Sequence, residues 1–244
     1  MIKMYEAQNH ILIYTEQDNL GEHRHMATHV IISLAGEMKV QIGEQEYLCS
    51  GVQIPSGTFH KIDTAGQAVL VFLYDSTTNI AREIKEVQIM SETVCTQITA
   101  LYEKFAQNET KENYQEFQRG FLEQIGIAEV INCVTDERIT AAMTYVRENM
   151  SGKISCRQAA ESVFLSESRF SHLFKEQVGM TFAAYVVYQR IMYVYAEILQ
   201  GKSITEAALA AGFAGSAHFA DVNRRVFGLS ASSLTHDLSF NKVQ

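Results

Sequence analysis

Four histidines in the first quarter of the chain have the residue type and spacing of a metal-binding site. A single residue separates His23 from His25, so a strand would direct both imidazoles to the same side. His29 and His60 would approach the same place from neighbouring strands. Four imidazoles suit Zn, Ni, Cu or Fe(II), and not Mg or Ca. We therefore take His23, His25, His29 and His60 as candidate ligands of a divalent transition metal.

Short strand-like runs surround these histidines. They are rich in β-branched or alternating apolar residues and are separated by glycines. The runs cover residues 29–35, 37–42, 45–49, 52–54 and 68–74. Short strands with glycine turns indicate a compact antiparallel barrel or a double-sheet jelly roll, and we expect this N-terminal unit to span residues 1–80.

The histidine segments resemble the two cupin motifs. His23, His25 and Gly36 have the spacing of the first motif, with His29 at its usual glutamate position, and residues 55–60 resemble the second. The resemblance covers roughly residues 10–75 and implies a cupin-like barrel that holds a metal. The alternative is a barrel whose histidines line a pocket for an organic effector, with no metal.

Residues 80–149 are predicted to be helical. Apolar side chains recur there at helical spacing, interrupted by a polar stretch at residues 107–113. Residues 136–149 form an amphipathic helix that leads into the last part of the chain. We assign residues 81–135 to connecting helices, which are either a dimerisation element or a cover for the barrel, and residues 136–244 to a C-terminal domain.

One pattern occurs twice in the C-terminal domain, at an offset of 49 residues (208 minus 159). It preserves small, aromatic, aliphatic, basic and glycine character at seven positions. The positions are Ala159, Phe164, Phe170, Leu173, Lys175, Gly179 and Thr181, which recur as Ala208, Phe213, Phe219, Val222, Arg224, Gly228 and Ser230. Such a repeat indicates a duplicated structural unit.

Each copy predicts a helix-turn-helix. Ser155 and Ser166 are placed to cap two helices in the first copy, and Gly179 ends the second of them. The second copy has Ser203 as a cap, a turn at Gly212 and a helix over residues 216–227. Phe164 and Phe213 are expected to wedge beneath the two turns, and the second helix of each unit is free to enter a major groove.

The second helix of each unit carries polar side chains suited to DNA. The candidate DNA-binding residues are Ser166, Arg169, Ser171, His172 and Lys175 in the first unit and Ser216, His218, Arg224 and Arg225 in the second. We expect Arg169, His172 and His218 to contact bases, and Lys175, Arg224 and Arg225 to hold phosphates. The alternative is an ordinary all-α domain that contains two helix pairs.

Residues 154–234 resemble the AraC/XylS family of bacterial transcription regulators. The resemblance lies in Leu165-Ser166, in residues 170–175 (FSHLFK) and in residues 211–213 (AGF). It implies two helix-turn-helix units, joined by a long helix at residues 182–199, that bind successive major grooves of double-stranded DNA. The partners it implies are a small-molecule or metal effector, a second copy in a homodimer, and RNA polymerase.

The second unit departs from the family pattern. Asn223 stands where phenylalanine is usual, Asp221 occupies a common basic position, and Ala217 and Ala231 replace a serine and a proline. Loss of the phenylalanine weakens a small core, and Asp221 repels phosphate. We therefore expect the first unit to bind DNA more strongly than the second.

Charge is distributed unevenly along the chain. The net charge is −8, but residues from Met150 onward carry nine Lys and Arg against seven Asp and Glu, net +2, and the preceding part is net −10. This asymmetry favours nucleic-acid binding by the C-terminal domain. With no run of 18 apolar residues, no leader and four scattered cysteines, the chain is expected to be soluble and cytoplasmic, with reduced thiols and no membrane partner.

These observations predict an α+β multidomain protein, with an N-terminal antiparallel β cupin-like barrel, connecting helices and a C-terminal all-α domain. Its expected function is effector-controlled, sequence-specific DNA binding in transcription regulation, without enzymatic activity. One alternative is a metal-sensing regulator that uses the four-histidine site. A second is a metal-dependent cupin enzyme fused to a DNA-binding tail, for which four histidine ligands leave little open coordination.

Overall fold

The computed structural model describes residues 2–7, 9–16, 20–23, 26–127, 134–227 and 238–243. The strands are β1 (Ile2–Glu6), β2 (His10–Thr15), β3 (Leu20–His23), β4 (Thr28–Ser33), β5 (Met38–Ile42), β6 (Gln45–Cys49), β7 (Gly51–Ile54), β8 (His60–Asp63), β9 (Val69–Tyr74), β10 (Gln88–Ile89) and β11 (Leu238–Lys242). The helices are α1 (Asn79–Glu83), α2 (Glu92–Gln107), α3 (Lys111–Gln124), α4 (Glu137–Glu148), α5 (Cys156–Ser162), α6 (Glu167–Val178), α7 (Phe182–Leu199), α8 (Ile204–Ala210) and α9 (Ser216–Phe227).

The strands form two sheets. The large sheet has the order β10-β7-β4-β9-β2-β1-β11 and the small sheet the order β3-β8-β5-β6. Alternate residues of β4, such as Ile31, and of β8, such as Ile62, face a shared apolar core. The prediction of an N-terminal antiparallel β domain followed by an all-α domain is confirmed, and within the described residues the strands make a double sheet.

The other face of the large sheet is covered by α2 and α3. Phe72 of β9 stacks on Phe121 of α3 with ring centroids 3.9 Å apart, and Phe105 and Phe117 pack beside them. Burial on both faces explains why the central strands β4 and β9 consist of buried residues along their whole length. The connecting helices therefore use their apolar faces on the sheet, while their role in a dimer stays a prediction.

Helix α7 is the central helix of the C-terminal domain and contributes to both of its helical units. Its residues are apolar on most sides because it packs against two helical units at once. Phe182 and Tyr185 lie in the core of the first unit, formed with α4, α5 and α6, whereas Tyr195 lies in the core of the second, formed with α8 and α9. The predicted joining helix at residues 182–199 is confirmed.

The chain returns to the N-terminal domain after the second unit. Strand β11 pairs with β1 in parallel, with Ile2 opposite Leu238 and Glu6 opposite Lys242. Tyr188 of α7 adds a further link, because its hydroxyl donates to the carbonyl oxygens of Ala7 (2.7 Å) and His10 (2.9 Å). The helical domain is thus fastened to the large sheet at several points.

The repeated units follow a different register from the one predicted. Ser155 and Ser203 cap α5 and α8 and are 48 residues apart (203 minus 155), not 49. The offset of 49 holds only after the turns, where the N–H groups of Phe170 and Phe219 donate to the residues that precede α6 and α9. The second turn therefore contains one more residue than the first.

This shift changes the roles of the turn residues. Phe164, which we predicted to wedge beneath the first turn, is 96% exposed and has φ of +57°. Its counterpart is Gly212, with φ of +81°, because both follow the cap of the first helix. Leu165 occupies the place of buried Phe213 and packs, half-buried, on the core. The wedge prediction is wrong for Phe164 and confirmed for Phe213.

Candidate nucleic-acid interface and effector site

The predicted first recognition helix is α6. Ser166 is exposed and caps it by accepting from the N–H of Arg169, while Gly179 ends it in the left-handed conformation with φ of +85°. The buried stripe of Phe170, Phe174 and their neighbours fixes the helix against the core. This packing determines which side chains remain outside.

The predicted contact residues of α6 are not equally available. Arg169 and His172 are exposed, and Lys175 is half-buried. Ser171 is half-buried and lies within 3.1 Å of Cys156 Sγ on α5, so it faces the neighbouring helix more than solvent. The outward edge of α6 is therefore formed by Arg169, His172 and Lys175.

One acidic group, Asp136 at the start of α4, interacts electrostatically with this edge. Hydrogen bonds from Arg138, together with a smaller contribution from the charge of Arg169, lower the pKa of Asp136 to about 2. The Arg169 guanidinium therefore lies within electrostatic reach of a carboxylate that is ionised near neutral pH. Binding to DNA would exchange part of this attraction for contacts with the duplex.

The predicted second recognition helix is α9. His218, Arg224 and Arg225 are exposed, and Ser216 is half-buried at the first turn. His218 Nδ1 accepts the N–H of Ala214 at 3.1 Å, which leaves the hydrogen of a neutral imidazole on Nε2. His218 can therefore donate from Nε2 to an acceptor such as guanine N7 or a phosphate oxygen.

Asn223 is the residue of α9 that departs most from its expected character. It is fully buried, and its Oδ1 accepts the hydroxyl hydrogen of Tyr195 on α7. Burial raises the pKa of Tyr195 far above its ordinary value, so this donor stays protonated. The predicted weakening of the core by a lost phenylalanine is thus offset by a polar pair that sequence inspection did not identify.

The metal prediction is only partly covered by the described residues. His29 of β4 and His60 of β8 are buried and lie edge to face, with ring centroids 4.9 Å apart. His23 is the backbone register partner of His60, and His25 lies outside the described residues. In the part of the chain that the structure describes, no cluster of three or more metal-binding side chains is found.

The hydrogen bonding of His60 suits a ligand role. Its Nδ1 lies 2.9 Å from the carbonyl oxygen of Thr58, and a carbonyl can only accept. Nδ1 therefore carries the hydrogen, and the lone pair of the neutral ring is on Nε2. Fixing one ring nitrogen in this way is the usual support for a histidine that binds metal through the other.

The histidine-bearing segments meet the second recognition helix. The N–H groups of Met26 and Ala27, just before β4, donate to the carbonyl oxygens of Arg225 (2.8 Å) and Val226 (3.0 Å) at the end of α9. Ser56, just before β8, donates to the carbonyl oxygen of Met26 at 2.6 Å. We call these three hydrogen bonds the α9 clasp. Sequence reasoning missed it, since two of its three donors and all of its acceptors are backbone groups, which leave no signature in residue types.

Comparison with known proteins identifies the C-terminal domain. A family model described as a helix-turn-helix domain matches residues 159–236. The chain carries an AraC-type helix-turn-helix domain. The probable transcriptional regulator LumQ of Photobacterium leiognathi is 31% identical over 87 residues, which cover 35% of this chain and 35% of LumQ. The similarity to LumQ thus spans about a third of that protein.

Solved structures extend the likeness to the rest of the fold. ToxT of Vibrio cholerae O395 aligns over 93% of this chain and 98% of its own, with a TM-score of 0.52 and 12% identity. The apo form of a lysine-to-alanine ToxT variant from strain SCE256 covers 96% and 100%, also with a TM-score of 0.52 and 12% identity. The chain therefore has the same overall fold as ToxT, in both the N-terminal β domain and the AraC-type domain. Among the helices described, none is long and apolar enough to span a membrane.

Proposed function

We propose that the protein is a sequence-specific DNA-binding transcription regulator whose DNA binding is controlled by an effector in the N-terminal domain. The observation that carries the first part is the pair of candidate recognition helices, α6 and α9, both of which pack on one helix, α7. Both present imidazole and basic side chains outward, as base and phosphate contacts require.

The expected binding site follows from this pairing. Two recognition helices that read adjacent major grooves on one face of DNA sit about 34 Å apart, so one chain should cover a direct site of roughly two turns. Arg169, His172 and His218 are assigned to bases, and Lys175, Arg224 and Arg225 to phosphates. Asp221 is exposed on α9, which supports weaker binding by the second unit.

Control by an effector is supported by the α9 clasp. His29 lies two residues after Ala27, and His60 lies four residues after Ser56. Both segments of the histidine site are therefore close in sequence to residues of the clasp. An effector that binds between the sheets and shifts either segment would move the end of α9. Binding would then favour one spacing of the two recognition helices over another.

The test is selection of duplexes from a random pool with the full chain, followed by affinity measurements on the selected site. We expect an asymmetric site of roughly two turns. His172→Ala should relax preference at one base position, whereas Lys175→Gln should weaken binding to all sequences about equally. Absence of any sequence preference at low salt would contradict the proposal, as would equal effects of both variants on every position.

A second candidate, a metal-sensing regulator, is favoured by the His29–His60 pair. If the predicted four-histidine site holds Zn, Ni, Cu or Fe(II), purified protein should contain about one equivalent of metal. His60→Gln should lower the metal content. His10→Gln is the matched control, since His10 is equally buried but is bonded to Tyr114. Unchanged metal content in both variants, or absence of metal from the wild type after loading, would reject this candidate.

A further inference from the structure

The N-terminal domain places a basic residue beside the first recognition helix. Helix α1 begins two residues after Thr77, whose Oγ1 accepts the N–H of Thr181 at 3.2 Å. Thr181 follows the end of α6 by three residues and caps α7. This bond brings the segment that leads into α1 to the start of α7, just beyond the C-terminal end of α6 on which Lys175 is located.

Arg82 of α1 and Lys175 of α6 are the cations that approach each other here. Arg82 lies in the last turn of α1 and is exposed, and Lys175 is half-buried in the last turn of α6. Burial lowers the pKa of Lys175, and the positive charge of Arg82 lowers it further. The two side chains are therefore near enough to repel.

Neither cation forms an ion pair within the described residues. The ion pairs of the described chain involve other basic residues, including Lys3, Arg138 and Lys202, and none includes Arg82 or Lys175. Two adjacent cations without a carboxylate partner raise the free energy of the isolated protein. An external anion between them would lower it, and the position beside the outward edge of α6 is where a DNA backbone would pass.

We propose that Arg82 of the N-terminal domain and Lys175 of the first recognition helix together bind one backbone phosphate of the duplex. The inference rests on the proposed function and adds a contact from outside the AraC-type domain. It makes DNA affinity depend on how the two domains are docked, because the phosphate site exists only while α1 lies against α6.

The experiment compares full-length variants on the selected duplex by fluorescence anisotropy. Arg82→Gln and Lys175→Gln should each weaken binding roughly three- to tenfold at low salt and reduce its salt dependence, with the same loss on selected and mismatched sites. The double variant should lose less than the product of the two single losses, since both remove the same contact. Arg82→Lys should restore part of the affinity.

Lys85→Gln is the matched control. It removes the same charge from an exposed position just after α1 and should change affinity less than twofold, a threshold set by the small effect of an exposed charge. Equal losses of affinity for Lys85→Gln and Arg82→Gln would show that only the overall charge of the domain matters. Unchanged affinity of Arg82→Gln would show that α1 does not reach DNA. Either result overturns the inference. Multiplying losses would refute a shared phosphate. Failure of the wild type to select any duplex would instead reject the proposed function.

Discussion

The turns of the two helix-turn-helix units are expected to respond differently to substitution. Replacing the glycine of the second turn should destabilise the protein, whereas placing a glycine in the first turn should not. Gly212 has φ of +81°, and a Cβ there would lie 2.6 Å from the carbonyl oxygen of Met150 and 3.0 Å from the Arg190 guanidinium. Phe164 occupies the equivalent turn position with φ of +57° although it has a side chain. One turn therefore requires glycine, and the other carries strain.

The magnitudes follow from two separable costs. A left-handed conformation costs a residue with a Cβ about 1–2 kcal/mol, and overpacking a filled site adds about 1–3 kcal/mol. Gly212→Ala should therefore destabilise the protein by about 2–5 kcal/mol. Phe164→Gly should remove the strain but add about 0.5–1 kcal/mol of chain entropy, so it should be neutral or stabilising by up to about 1.5 kcal/mol.

Gly201→Ala separates the two costs. Gly201 has φ of +88°, but nothing lies within 4 Å of its would-be Cβ, so its substitution measures the conformational cost alone. The assay is urea unfolding followed by far-ultraviolet circular dichroism, with an unchanged slope against denaturant. If Gly212→Ala lowered the free energy of unfolding no more than Gly201→Ala does, the backbone of Met150 would not restrict residue 212 as described. Destabilisation by Phe164→Gly would refute the equivalence of Phe164 and Gly212.

Three further predictions concern polar groups that form hydrogen bonds inside the fold or between its parts. Burial lowers the pKa of His10 to about 3, so the unfolded chain binds a proton that the folded chain does not as pH falls below the ordinary histidine value of about 6.5. Between these two pKa values, protonation of His10 in the unfolded chain should lower the free energy of unfolding by up to about 1.4 kcal/mol for each unit that the pH falls. His10→Gln should therefore make the urea midpoint depend less on pH in this range. Tyr195→Phe removes a donor to buried Asn223 and should cost about 1–3 kcal/mol by thermal unfolding, whereas a cost near zero would show that the pair contributes little. Ser56→Ala removes the bond to Met26 and should alter DNA affinity with little loss of stability, and unchanged affinity would argue against transmission through the α9 clasp.

Much of the fold is encoded in local patterns. Residues 136–149, 182–199 and 216–227 were predicted as helices, and α4, α7 and α9 have nearly those bounds, because capping residues and apolar periodicity act over a few positions. Five strands were also located from short apolar runs. The remaining strands, such as β1 and β2, have no glycine turns or alternation that distinguishes them before the sheet is known.

The repeat register illustrates where inspection of residue types fails. Matching Phe164 to Phe213 preserved aromatic character, but the backbone places Leu165 opposite Phe213 because the second turn has one extra residue. An inserted residue in a turn changes no helix pattern and is therefore invisible to periodicity. Contacts between domains, including Thr77 with Thr181, depend on tertiary packing in the same way.

The pairing of β11 with β1 has a consequence for the order of folding. β1 is synthesised before both helix-turn-helix units, but its parallel neighbour β11 is synthesised only after them, since Ile2 is opposite Leu238. Until then the sheet ends in an unpaired edge that invites association with other chains. Nascent chains that have not yet formed β11 should therefore be prone to aggregate, and the pairing of β11 both protects that edge and attaches the helical domain to the large sheet.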